Sequence, residues 1–118
     1  MIFRPELAEK VLAGEKTVTR RLCSENPRSP WCRERCALQV GRDYAVQTGP
    51  RFKAITVCRV VIVSVERQWL GYLDDAEARL EGCDNAAAFV ATFRAINGSY
   101  DATAEVWRVQ FLPPEVAA

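Results

Sequence analysis

At 118 residues, with 49% hydrophobic and 26% charged side chains and a net charge of +1, the chain has the size and composition of one globular domain with a core. No apolar run approaches the roughly 18 residues of a membrane helix, and the opening segment, with Arg4, Glu6, Glu9 and Lys10, is not a secretory signal, so the expected location is the cytoplasm. Histidine is absent, which excludes Ser-His-Asp and Cys-His catalysis and any histidine-containing metal site.

The first expected element is an amphipathic helix over Pro5–Ala13, with Leu7, Val11 and Leu12 on one side and Glu6, Glu9 and Lys10 on the other. Gly14 ends it. Thr17–Leu22 reads as a strand. In a regular strand Lys16, Val18 and Arg20 face one way, and Thr17, Thr19 and Arg21 the other. Cys23–Val40 is a long, basic, proline-containing loop around Trp31, and loops of that length in small domains are functional or clamped. Gly41-Arg42-Asp43 turns the chain into a strand at Tyr44–Gln47, and Gly49-Pro50 breaks it. Lys53–Glu66 is the clearest strand. Val57, Val61, Val63 and Val65 would share one face and Val60 and Ile62 the other, so both faces are expected to be partly buried.

Asp74-Asp75 can cap a short helix reaching Glu81. Asp84 or Asn85 can cap a second helix, with Phe89, Phe93 and Ile96 along one side, ended by Asn97-Gly98. Val106–Phe111 is the last strand, with Trp107, Val109 and Phe111 on one face. A single domain over 1–113 and a short tail over 114–118 are expected. The pattern is α+β: a small mixed, curved or barrel-like sheet with helices at its edges.

Charge is unevenly distributed. Residues 1–59 hold 12 of the 16 basic side chains and 6 of the 15 acids. Either this becomes a basic face, a footprint for nucleic acid, or the two halves interleave and neutralise each other.

Four groups could carry chemistry. Lys16 and Thr19 form a base and nucleophile pair if burial or the nearby Arg20 and Arg21 lower the lysine pKa. That pairing requires a turn or bulge just after Gly14; otherwise they are a surface lysine and a strand threonine. Glu81 is a solvated helix-end acid, or a proton shuttle if the fold brings it to Lys16. Cys23, Cys32 and Cys36, with Cys58 as a fourth, are weak candidates for zinc, because their spacing does not match a paired C-x2-C knuckle. An odd cysteine count favours free thiols. Arg28, Trp31, Arg33 and Arg35 suit phosphate contacts with base stacking, or else form a solvated loop that Trp31 anchors to the core.

Gly14-x-Lys16-x-x-Thr19-x-Arg21 matches the motif G-x-K-x-x-[ET]-x-R. Phe3, Leu12-Ala13-Gly14, Gly41-Arg42-Asp43-Tyr44, Glu81-Gly82 and the aromatic strand Val106–Phe111 follow in order. Together these residues resemble the ASCH (activating signal cointegrator homology) domain family of the PUA-like superfamily. The resemblance implies a PUA-like β-barrel with a cleft at the motif strand, a link to RNA or a modified nucleoside, and no cofactor. One branch of that family hydrolyses the acetyl amide of N4-acetylcytidine. Its lysine, threonine and glutamate would fall on Lys16, Thr19 and Glu81. Arg20 and Arg21 would then contact substrate or RNA, with Arg21 holding a phosphate or an oxyanion. A non-catalytic RNA-binding module and a single-strand ribonuclease are the alternatives within the family. The Cys23–Val40 segment departs from the amidohydrolase branch; beside the cleft it would narrow it or extend it as an RNA-binding lip.

Overall fold

Pro5 sits where its fixed φ and missing N–H suit a helix start, and a computed structural model places helix α1 at Pro5–Leu12. The structure describes residues 1–114; positions 115–118 of the expected tail lie outside the described residues. α1 buries Ala8 and Val11. Leu12, expected on the apolar side, is 49% exposed, because the stripe that faces the sheet runs through Ala8 and Val11 instead. Gly14, at φ +77°, turns the chain off the helix in a conformation that side chains disfavour.

Strand β1 (Val18–Leu22) follows. The 23–40 segment is not all loop: β2 (Trp31–Cys32) and β3 (Arg35–Cys36) pair as a small antiparallel hairpin. β4 (Asp43–Thr48), β5 (Ile55–Trp69) and β6 (Glu105–Phe111) complete a four-stranded sheet in the order β1-β6-β5-β4, antiparallel throughout. β5 serves two partners. Its first half pairs with β4 through Val61, and its second half pairs with β6 from Ile62 onward.

A bulge between Ile62 and Ser64 corrects the expected faces of β5. Beyond it, Val65 stands opposite Val109 and packs on the same core as Ile62, while Val61 and Val63 are exposed. One extra residue reverses the alternation. Helices α2 (Asp75–Leu80) and α3 (Ala86–Asn97) start at Asp74 and Asn85, whose side chains accept hydrogen bonds from the Glu77 and Ala88 N–H groups, each at 2.8 Å.

Two apolar clusters support the sheet. Phe3, Val11, Val46, Ile62, Val109 and Phe111 pack under α1; Leu70, Ala78, Phe89, Phe93 and Val106 pack under α2 and α3. The α+β class, with a small barrel-like sheet and helices at its edges, is as expected; among the described residues the four-stranded sheet runs from β1 to β4 with no strand pairing between these two. The N-terminal segment bridges to β4 at Ile2–Gln47, and the Arg21 Nη2 donates across the seam to the Ile2 carbonyl at 2.8 Å. Among the described residues no helix is long and apolar enough to cross a membrane.

A candidate active or binding site at the open seam

A cavity of about 440 Å³ opens at this seam, between the two apolar clusters. β1 forms one wall, Phe3 and Arg4 the second, and α3, with Phe89, Thr92 and Phe93, the third. Lys16, Thr19, Arg21 and Glu81 all line it, so the dispersed arrangement that a regular strand would impose does not arise. The reason is local. The Glu15 and Lys16 N–H groups both donate to the Lys10 carbonyl, at 2.9 and 3.1 Å, wrapping the chain round the end of α1. The regular strand begins only at Val18. Gly82, at φ +88°, lets the α2 terminus approach: a Cβ there would lie 3.3 Å from that of Lys16.

Lys16 is 3% and Glu81 4% exposed. The lysine Nζ donates to Glu81 Oε1 at 2.8 Å, to the Glu81 carbonyl at 2.9 Å and to the Val18 carbonyl at 2.8 Å. All three ammonium hydrogens are therefore used. Burial pushes the Lys16 pKa down from its ordinary 10.5, against the opposing pull of Glu81. The second oxygen of Glu81 accepts from Arg20 Nη1 at 2.9 Å. Arg20 continues to Glu77 at 3.0 Å and Gln68 at 3.2 Å, and Arg108 also holds Glu77. Arg20, expected to contact substrate or RNA, lines the cavity too, with its side chain engaged in this buried network. Its neighbour Arg21 takes no carboxylate and donates to the Ile2 carbonyl instead.

Thr19 is 4% exposed, and its hydroxyl accepts from Arg21 Nε at 3.4 Å. Among the described residues Lys16 and Thr19 share the cavity without a hydrogen bond to each other. Arg21 lies between two rings, its guanidinium carbon 4.7 Å from the Phe3 centroid and 5.5 Å from that of Trp31. Burial lowers its pKa and Glu81 opposes the shift. Among the described residues no carboxylate pairs with it, nor with Arg4, which also lines the cavity and donates to the Ala95 carbonyl.

The basic loop is anchored at Trp31 and Arg33 and leaves Arg28 and Arg35 exposed. Trp31 packs on the first core cluster, and Arg33 pairs with Glu105 and, at 3.3 Å, with Glu25. Trp107 Nε1 donates to the Cys32 carbonyl at 3.0 Å. Arg28 and Arg35 are exposed and stand outside the cavity lining. The five cysteines are free thiols, and burial raises the pKa of Cys23 and Cys36. Among the described residues no three His, Cys, Asp or Glu side chains gather as a metal site, so the Cys23, Cys32 and Cys36 cluster does not form. The charge halves interleave at Lys16–Glu81, Arg20–Glu77 and Arg33–Glu105.

Two features escaped the sequence reading. Phe89 and Phe93 had a core signal, their i, i+4 spacing, and they serve as both core and cavity wall. Arg51-Phe52-Lys53 forms a 3-10 turn beside Gly49, which lines the cavity. Phe52 is 93% exposed, and no periodicity announces it.

An α+β domain with an open antiparallel sheet and a buried Lys–Glu–Arg network at its seam is the class that fold and site define. No family model matches the sequence, and no curated protein matches it. Solved structures do. An ASCH domain from Lactobacillus crispatus JV V101 superimposes with a TM-score of 0.68 at 18% identity, over 91% of this chain and 69% of that one. A protein of Enterococcus faecalis V583 assigned to the family DUF984 does so with a TM-score of 0.59 at 15% identity and the same coverage. The fold of this chain is the ASCH fold.

Proposed function

We propose that this is an ASCH-type domain whose cavity takes one nucleoside, either free and modified or unstacked from an RNA strand. The observation that carries this reading is the convergence of Arg21, Lys16 and Thr19 on one cavity walled by Phe3, Phe89 and Phe93. Apolar and aromatic walls with a few convergent polar groups, at this volume, suit a small planar ligand. The uncompensated Arg21 favours an anionic or carbonyl group beside it, and the resemblance to a family linked to RNA points the same way. Calorimetric titration with the four ribonucleosides, N4-acetylcytidine and short single-stranded RNAs tests it. Binding that Arg21→Ala weakens supports the reading; absence of binding to all of them rejects it.

A second reading has its own support, since Thr19, Lys16 and Glu81 line the same cavity. In it the cavity hydrolyses the acetyl amide of N4-acetylcytidine. Lys16, in its neutral form, takes the Thr19 proton while Oγ1 attacks the acetyl carbonyl. The C–N bond then breaks, N4 receives the proton from Lys16, and water hydrolyses the acetyl ester of Thr19 to acetate. Arg21 faces the developing oxyanion. Lys16 must first surrender one of its three donated hydrogens, which its lowered pKa assists. Glu81 holds Lys16 in place; to shuttle a proton it would have to release Lys16 or Arg20. Acetate release that disappears in Thr19→Ala and Lys16→Ala supports this reading. Binding without acetate release leaves a non-catalytic module, and cleavage of short RNAs would point to the ribonuclease alternative.

A further inference from the structure

The hydrogen bonds at the two ends of β1 determine which of its backbone groups point to β6 and which point away. The Phe111 N–H donates to the Thr17 carbonyl at 2.9 Å, and the Cys23 N–H to the Glu105 carbonyl at 3.0 Å. Between them Val18–Leu22 runs in unbroken antiparallel register with Gln110–Val106. Opposed residues in such a ladder alternate between bonded and non-bonded pairs. Thr17, Thr19, Arg21 and Cys23 therefore bond to β6, and the N–H and C=O groups of Val18, Arg20, Leu22 and Ser24 point outward.

The row is stopped at both ends, although the Val18 N–H takes no partner among the described residues. The Val18 carbonyl accepts from Lys16 Nζ. The Ser24 N–H donates to the Trp31 carbonyl, and the Ser24 carbonyl accepts from the Arg33 N–H, each at 2.9 Å. Between these stops, the backbone groups of Arg20 and Leu22 have no protein partner among the described residues, and both residues line the cavity. Arg20 is a buried residue, and buried backbone amides and carbonyls are seldom left unpaired.

We propose that this short open edge reads the base: Arg20 and Leu22 present alternating N–H donors and C=O acceptors to the hydrogen-bonding edge of a nucleobase. The proposal deepens the nucleoside-binding reading and rests on it. Two strand residues span about 6.6 Å at 3.3 Å each, the reach of one heterocycle. An added peptide strand needs a longer edge, which Lys16 at one end and the 31–33 segment at the other deny it. Bases that set a donor beside an acceptor fit the edge; alkylation of the ring nitrogen between them removes the fit. The Arg21 guanidinium, bonded to the Ile2 carbonyl across the seam, is then placed beside the ligand rather than over its edge.

The test uses the whole chain and the five nucleosides named above. The Leu22 N–H lies outside the β1–β6 ladder, so Leu22→Pro removes it without deleting a sheet hydrogen bond, as proline does at strand edges; Leu22→Ala keeps it. For whichever nucleoside binds the wild type most tightly, Leu22→Pro is expected to bind about tenfold more weakly, the loss of one hydrogen bond, and Leu22→Ala within about threefold. Amide exchange on the unaltered chain gives an independent readout. Adding that nucleoside should slow exchange at Arg20 and Leu22 by about tenfold or more, while Arg21, already in the ladder, stays unchanged. Unaltered exchange at both amides with the nucleoside bound overturns the proposal and leaves the nucleoside reading standing. Failure of all five to bind overturns both, and protection by a strand-forming peptide in their place would assign the edge to protein.

Discussion

Replacing Glu81 with glutamine would leave the Lys16 ammonium and the Arg20 guanidinium, both shielded from water, without the carboxylate that now lies between them. Breaking a buried pair by removing one partner costs about 3–5 kcal/mol, so Glu81→Gln should lose about that much in urea unfolding. Adding Lys16→Met should restore part of it, because one stranded cation is removed; no recovery in the double variant would show that the cost lies elsewhere. Lys16 also makes a prediction about pH. Its folded pKa lies below the ordinary 10.5. Between the two values the unfolded chain binds more protons than the folded one, so stability rises with pH through that window. Below it the lysine is charged in both states and contributes no slope. The unfolding free energy of wild type minus that of Lys16→Met, followed from neutral pH to 10.5, should therefore climb; a falling difference would contradict the burial argument. At this scale an ordered motif singled out Lys16, Thr19, Arg21 and Glu81, which the fold brings to one cavity. The ion pairs of Arg20 were not legible there, since Glu77 and Gln68 reach it only through the fold.

The hairpin within residues 23–40 owes its position to a few polar contacts with β6. Trp107 Nε1 holds the Cys32 carbonyl, and Glu105 holds Arg33. Trp107→Phe keeps the ring's bulk and deletes the donor, for about 1 kcal/mol. Exchange at the Cys32 and Arg33 amides should quicken while the β5 amides hold steady; uniform quickening would mean that the sheet itself had loosened. Because Trp31 stacks on Arg21 from this hairpin, the same variant should also weaken any ligand that Arg21 contacts. The sequence could not announce β2 and β3: strands of two residues carry no periodicity, and their pairing is set by β6 residues some seventy positions away. The helix ends were readable at Asp74, Asn85 and Gly98, because capping is local chemistry. The β5 bulge lay between these cases. Its valines announced a strand, but the reversal of faces at Ser64 depends on register with Phe111 and Gln110.

Over the whole molecule, the basic first half and acidic second half interleave where Lys16, Arg20 and Arg33 each take a carboxylate from the other half. Any hold on RNA would fall to exposed cations that take no such partner among the described residues. Arg51 and Lys53 are such cations. They flank Phe52 on an exposed turn whose neighbour Gly49 lines the cavity, and the Arg51 guanidinium carbon lies 5.7 Å from the Phe52 centroid. A strand with one base in the cavity would carry its next nucleotide toward this turn, where two phosphate contacts and one stacking face are on offer. Each phosphate contact to single-stranded nucleic acid contributes about 0.7 to the slope of log affinity against log salt. Arg51→Ala with Lys53→Ala should accordingly flatten that slope by about 1.4, read by fluorescence anisotropy with a short single-stranded RNA between 50 and 200 mM salt. Phe52→Ala should weaken binding by about 1–3 kcal/mol, the worth of one stacked base, and leave the slope alone. A free nucleoside, which does not reach the turn, should bind all three proteins equally. If RNA binding survives the double change with its slope intact, the strand leaves the cavity by another route. If the nucleoside weakens along with the RNA, the turn shapes the cavity itself rather than extending it.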